Sequence, residues 1–110
     1  MLKGLSLEGT VTVVTGSGSG LGKEMALAIA RAGGDIVLVG RRLQPLRDVS
    51  AEIQVIGTRA VVLPTDVTDT TQVRNLFKTA IRELGHVDAL INNAGMVGDC
   101  LLYTSDAADE

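Results

Sequence analysis

Three observations in this sequence predict an α/β fold in the order β-α-β-α-β-α-β, a parallel sheet with helices on both faces. Four short runs of Val, Ile, Leu and Ala alternate with three longer segments whose apolar residues recur at helical spacing. The 110 residues hold one Phe, one Tyr and no Trp, so the core must be built from aliphatic side chains. That composition suits strands buried on both faces. Finally, a turn dense in glycine, Thr15-Gly16-Ser17-Gly18-Ser19-Gly20-Leu21-Gly22, separates the first run from the first helical segment. Strands alternating with helices of this size form right-handed βαβ units and a parallel sheet.

The elements follow in order. Residues 1–9 are a lead-in, with Leu5 and Leu7 expected against the core. The first strand is expected over about 10–15 and the first helix over about 20–32, ending at Gly33-Gly34, where a left-handed cap is expected. The second strand is Asp35-Ile36-Val37-Leu38-Val39. Pro45 is tolerated in a first helical turn. Leu46, Val49, Ile53 and Ile56 then mark one face of the second helix as far as Gly57. Arg59-Ala60-Val61-Val62-Leu63 is the third strand, leading into Pro64-Thr65-Asp66-Val67. Asp69, with Gln72 three positions on, resembles a capping box opening the third helix. Its inward stripe is Val73, Leu76, Phe77, Ala80, Ile81 and Leu84. The fourth strand is Val87-Asp88-Ala89-Leu90-Ile91, followed by Asn92-Asn93-Ala94-Gly95.

In a parallel sheet the C-terminal ends of the strands share one edge, and open α/β sheets bind their ligands there. The first turn lets the backbone take positive φ and brings bare N–H groups close to an anion. The start of a helix adds unpaired donors and a partial positive charge. Gly16, Ser17, Ser19, Gly20, Leu21 and Gly22 are therefore the candidate phosphate cradle. The spacing does not fit Gly-x-Gly-x-x-Gly, because positions 21 and 23 are Leu and Lys, and no Gly-Lys-Ser/Thr follows. Thr-Gly-x-x-x-Gly-x-Gly does fit, with Gly16, Gly20 and Gly22 in register.

At the end of the second strand, many dinucleotide sites place an acid on the ribose hydroxyls. Here Gly40 stands there, with Arg41 and Arg42 behind it. Asp35 lies at the far end of that strand, roughly 15 Å away at ~3.3 Å per residue. The two guanidiniums suit a 2′-phosphate, so NADP is expected rather than NAD, with Arg41 the first candidate. Two solvated arginines opening a surface helix would read the same way. Asp66 is placed to accept from the adenine amino group and Val67 to cover the ring, although an Asp here could equally cap a turn. Asn93, beside Asn92, is expected to tie the strand end to its neighbour. Ala94 and Gly95 leave room for a cofactor ribose. His86 is read as structural or solvated.

With ten Lys and Arg against 13 Asp and Glu, the formal charge is −3, and the basic residues are dispersed, so no nucleic-acid partner is expected. No apolar run approaches the ~18 residues of a spanning helix. The start, Met1-Leu2-Lys3-Gly4, lacks the apolar core of a signal peptide. No membrane role and no metal site are expected. The single Cys fits a cytoplasmic location.

Taken together, Thr15-Gly16-x-x-x-Gly20-x-Gly22, Asp66-Val67 and Asn92-Asn93-Ala94-Gly95 resemble the short-chain dehydrogenase/reductase family, over residues 5 to about 99. The resemblance implies a Rossmann-type sheet truncated here after its fourth strand. It also implies an NAD(P) cofactor across these loops and hydride exchange with a small-molecule carbonyl or alcohol substrate, in a parent protein that is a homo-oligomer. Gly40-Arg41-Arg42 resembles the NADP-preferring branch.

The family's chemistry needs a Ser and a Tyr-x-x-x-Lys on later elements, the Tyr as acid/base and the Lys lowering its pKa. No Lys follows Lys78, and Tyr103 is followed four positions on by Ala107. The chain is therefore expected to bind cofactor without catalysis. Residues 100–110, Cys-Leu-Leu-Tyr-Thr-Ser-Asp-Ala-Ala-Asp-Glu, resemble a translated transposon-end sequencing adapter. They are expected to be a non-native, disordered tail on a partial domain of residues 1–99. Without that tail, which carries Cys100 and three of the 13 acidic residues, ten acidic residues face ten basic ones, and the charge and cysteine arguments lose their weight. A non-catalytic NADP-binding module is the alternative function. A methyltransferase fragment using S-adenosylmethionine is a further one, disfavoured by Gly40 and Arg41.

Overall fold

The computed structural model describes residues 6–93. It contains β1 (Val11–Thr15), α1 (Gly20–Arg31), β2 (Asp35–Gly40), α2 (Leu43–Ile56), β3 (Ala60–Pro64), α3 (Thr70–Leu84) and β4 (Ala89–Asn92). The strands form one parallel sheet in the order β3-β2-β1-β4. The chain thus steps from β1 outward to β3, then crosses back over the sheet through α3 to place β4 on the other side of β1.

Alternating side chains divide the core into two layers. Val14, Ile36 and Leu38 point to one face, where Ala26, Leu27 and Ala30 of α1 and Leu46, Val49 and Ile53 of α2 cover them. Val11, Val13, Val37 and Val39 point to the other, against Leu76, Ala80 and Leu84 of α3. Both faces of β1 and β2 are therefore apolar, which explains why these runs do not alternate with polar residues.

Helix ends are set by local chemistry. Asp69 caps α3, its Oδ1 accepting from the N–H groups of Thr71 at 2.9 Å and Gln72 at 3.3 Å. Gln72 turns its carbonyl to the N–H of Asp66 at 2.8 Å, so the cap also anchors the preceding loop to the helix. Gly33 takes the left-handed conformation expected after α1, with φ 99°.

Two apolar residues depart from expectation. Ile81 is 50% exposed and Ile56 36% exposed. Leu76, Ala80 and Leu84, four residues apart, form the buried row of α3 against β1 and β2, and Ile81 falls outside that row. Ile56 closes the last turn of α2, past the end of the buried row Leu46, Val49 and Ile53. β4 also begins later than expected, at Ala89. Asp88 makes instead a two-way link to the start of β1: its N–H donates to Val11 O at 2.8 Å, and its Oδ2 accepts from Val11 N–H at 2.8 Å.

Polar clasps hold the N-terminal edge of the sheet. Arg59 grips Asp35 through Nε at 3.0 Å and one terminal nitrogen at 2.8 Å. His86 Nε2 sits 3.0 Å from Gly9 O and 2.9 Å from Asp88 Oδ2. Asp35 and His86 both lie at the edge opposite the candidate site.

Candidate cofactor-binding site

The order in which strands are added to the sheet reverses at β1, which lies between β2 on one side and β4 on the other. Such a switch point opens a crevice above the C-terminal strand ends. The register keeps these ends level: Thr15 is opposite both Val39 and Asn92, and Gly40 is opposite Pro64.

Side chains fix the glycine turn to both neighbours of β1. Toward β4, Asn93 Nδ2 donates to Gly16 O at 3.2 Å and Thr15 Oγ1 donates to Asn92 Oδ1 at 2.9 Å. Toward β2, the N–H of Ser17 donates to Val39 O at 3.1 Å, and Ser17 Oγ accepts from Val39 N–H at 3.0 Å. Ser17 is fully buried. It was expected in the phosphate cradle, but its donors are committed to Val39, so it holds the turn in place instead of facing the groove. Ser17→Ala leaves the buried N–H of Val39 without an acceptor, and a loss of about 1–3 kcal/mol is expected in a denaturant melt. An unchanged midpoint would mean that another group takes over the bond.

Between this turn and the start of α2 lies an open groove of about 150 Å³, lined by Gly16, Gly18 and Ser19 on one side and by Gly40, Arg41, Arg42, Pro45 and Leu46 on the other. Two helices begin at it, and neither has a side-chain cap. Ser19, the N-cap of α1, makes no capping bond, and the first turn of α1 carries no acid. Arg42, the N-cap of α2, makes none either, again with no acid in the first turn. Asp69 on α3 shows that this chain caps a helix with a carboxylate elsewhere. Unpaired N–H groups and a positive dipole end favour an anion, and two arginines at such an end add a repulsion that an anion relieves. These residues fit the phosphate groups of a dinucleotide.

Asp66 stands at the far side of Arg41. Its Oδ1 accepts from Thr68 Oγ1 at 2.6 Å and from Thr68 N–H at 3.0 Å, and lies 3.6 Å from a terminal nitrogen of Arg41. Those Thr68 bonds, and to a lesser degree the Arg41 charge, hold the Asp66 carboxyl below the usual carboxylate range. Its Oδ2 makes no hydrogen bond among the described residues, and the Asp66 side chain is 42% exposed.

The structure thus gathers Gly16, Ser19, Arg41 and Arg42 at the groove, with Asp66 beside Arg41. Gly20, Leu21 and Gly22 form the first turn of α1, where Leu21 is 57% exposed and Gly22 is buried against Gly16. Val67 is half-buried and packs on the α3 layer, so only part of it remains to cover a ring. Ala94 and Gly95 lie outside the described residues. Gly18, Pro45 and Leu46 were not anticipated as lining, nor Thr68 as the anchor of Asp66. Gly18 falls out of register with the other turn glycines, which concealed it, although its place inside the turn was a usable signal.

Known proteins agree with this architecture. The family model for short chain dehydrogenases matches residues 10–109, and the chain belongs to that family. The match takes in most of the segment read from sequence as a tail. The chain is 44% identical over 91 residues to a glycine betaine reductase of Emericella nidulans, covering 83% of this chain and 7% of that one. It is 40% identical to a hydroxynaphthalene reductase-like protein of Metarhizium brunneum, covering 82% of this chain and 34% of the relative. Among solved structures, a 7 alpha-hydroxysteroid dehydrogenase complexed with NADH and 7-oxo glycochenodeoxycholic acid superposes with a TM-score of 0.83 at 37% identity, covering 89% of this chain and 39% of that one. The chain therefore spans between about a third and two fifths of the latter two proteins.

Proposed function

We propose that this chain is the cofactor-binding segment of an NADP-dependent oxidoreductase of the short-chain family, acting in the cytoplasm on a small carbonyl or alcohol. The observation that carries the NADP reading is the pair Arg41 and Arg42 at the uncapped start of α2, lining the same groove as the glycine turn. The N–H groups at the start of α1 would hold the diphosphate, with Ser19 and exposed Leu21 beside it. Asp66 Oδ2 would accept from the adenine amino group. When bound, the nicotinamide gives or takes the hydride. Asn93 and Ser17 keep the turn in position for it through their bonds to Gly16 and Val39.

In this reading residues 1–99 are a partial domain and residues 100–110 a foreign tail. The chain binds cofactor without turnover, because no Tyr-x-x-x-Lys is present in it. The absence of an acid at Gly40 weighs against S-adenosylmethionine, as it does against NAD.

Titration of the purified chain with NADPH and NADH tests the proposal. Tighter binding of NADPH is expected. Arg41→Ala should weaken NADPH by about 10- to 100-fold, the range for one or two charge-assisted hydrogen bonds, while changing NADH by less than about threefold. Equal affinity for the two cofactors, or no binding of either, would overturn it.

A further inference from the structure

The groove carries its own counterweight to Arg41. Asp66 Oδ1 is pinned twice by Thr68, at 2.6 and 3.0 Å, and the Asp66 N–H is pinned by Gln72 at 2.8 Å. Its negative charge is therefore fixed relative to β3 and α3. Arg41 is the more exposed partner, its side chain 73% exposed against 42% for Asp66, and it reaches the same Oδ1 at 3.6 Å. A guanidinium drawn toward a fixed carboxylate is partly neutralised before any phosphate arrives. Exposed pairs of this kind are weak, so the effect is an adjustment and not a block.

We propose that Asp66 is a specificity-determining residue that restrains the preference for a 2′-phosphorylated dinucleotide by holding Arg41 against its carboxylate. This rests on the reading of Arg41 as the 2′-phosphate ligand. Asp66 thereby has two separable roles. Oδ2, which makes no hydrogen bond among the described residues, serves as an acceptor for NADPH and NADH alike, while Oδ1 acts on Arg41, which only the 2′-phosphate engages. The hydrogen-bonded setting that lowers the Asp66 pKa keeps this charge in place at neutral pH.

Asp66→Asn retains the size of the side chain and an oxygen for Thr68 while removing the charge. The measured quantity is the ratio of NADPH to NADH affinity on the same sample. An unfolded fraction lowers both affinities equally and cancels from that ratio. D66N is expected to raise the ratio about two- to fivefold, the scale of a partly exposed charge contact. In an Arg41→Ala background it should change the ratio by less than about twofold, since removing either member of a coupled pair removes the coupling. A ratio unchanged or lowered by D66N, with Arg41→Ala still reducing it, overturns the proposal and leaves the Arg41 reading standing. A ratio that Arg41→Ala does not alter overturns the Arg41 reading, and the proposal with it.

Discussion

Gly22→Ala is expected to remove a large share of the stability of the chain. A Cβ at this position would lie 2.1 Å from Gly16 O, 2.7 Å from Asn93 Nδ2 and 2.8 Å from Gly16 C. No rotamer change relieves a clash with backbone. The obstructing oxygen is itself the acceptor of the Asn93 amide, so moving it also breaks the link between β1 and β4. Shifting α1 instead would lift Ala26, Leu27 and Ala30 out of the core layer they fill. The cost should be about 3 kcal/mol or more, the upper end of ordinary overpacking, against a total stability of roughly 5–15 kcal/mol for a domain. Gly20→Ala is the control. Gly20 has φ +56° but no atom within 4 Å of an added Cβ. Only the left-handed backbone penalty of about 1–2 kcal/mol should appear there. Denaturant melts followed by circular dichroism give both values. A G22A midpoint equal to that of wild type would mean that the turn and α1 part freely, and that the spacing of Gly16 and Gly22 is not a packing requirement.

That glycine could be picked out from spacing alone because a close approach of turn and helix has a local signature. The same holds for the elements. Branched-aliphatic runs for buried strands and three- and four-residue steps for helices are written within a few adjacent residues, and Asp69 with Gln72 announces the start of α3 in the same way. What stayed hidden is long-range. Ser17 reads as one more small residue in a phosphate turn, and nothing near it in sequence reveals that Val39, 22 positions away, takes up its hydroxyl. Asp66 could be placed at a strand end, but its pinning by Thr68 and its approach to Arg41 depend on how the β2 and β3 loops face each other. Ile81 shows the reverse limit. Its helical phase is right, yet burial depends on what packs against that flank from elsewhere in the fold, and Ile81 stays half exposed.

Leu46→Ala should couple a large stability loss to a change in the site. Leu46 is 1% exposed and shares a core layer with Leu38, Val49 and Ile53. It also lines the groove, its Cδ2 lying 3.2 Å from where a Cβ on Gly40 would stand and 3.6 Å from the equivalent point on Gly18. One side chain thus supports both walls of the candidate site. Truncation is expected to cost about 2–5 kcal/mol through lost burial and the cavity left behind. Ile53→Ala separates the two effects: it sits on the same helix, fully buried in the same layer, and does not line the groove. Both variants should lose similar stability. Under conditions where each remains folded, only L46A should weaken NADPH and NADH together, by about tenfold, equivalent to ~1.4 kcal/mol of lost preorganisation. Because Leu46 itself carries no charge, the ratio between the two cofactors should stay constant, in contrast to the Arg41 and Asp66 substitutions. Equal weakening of cofactor binding in L46A and I53A would assign the loss to the general loosening of the core and remove Leu46 from the site.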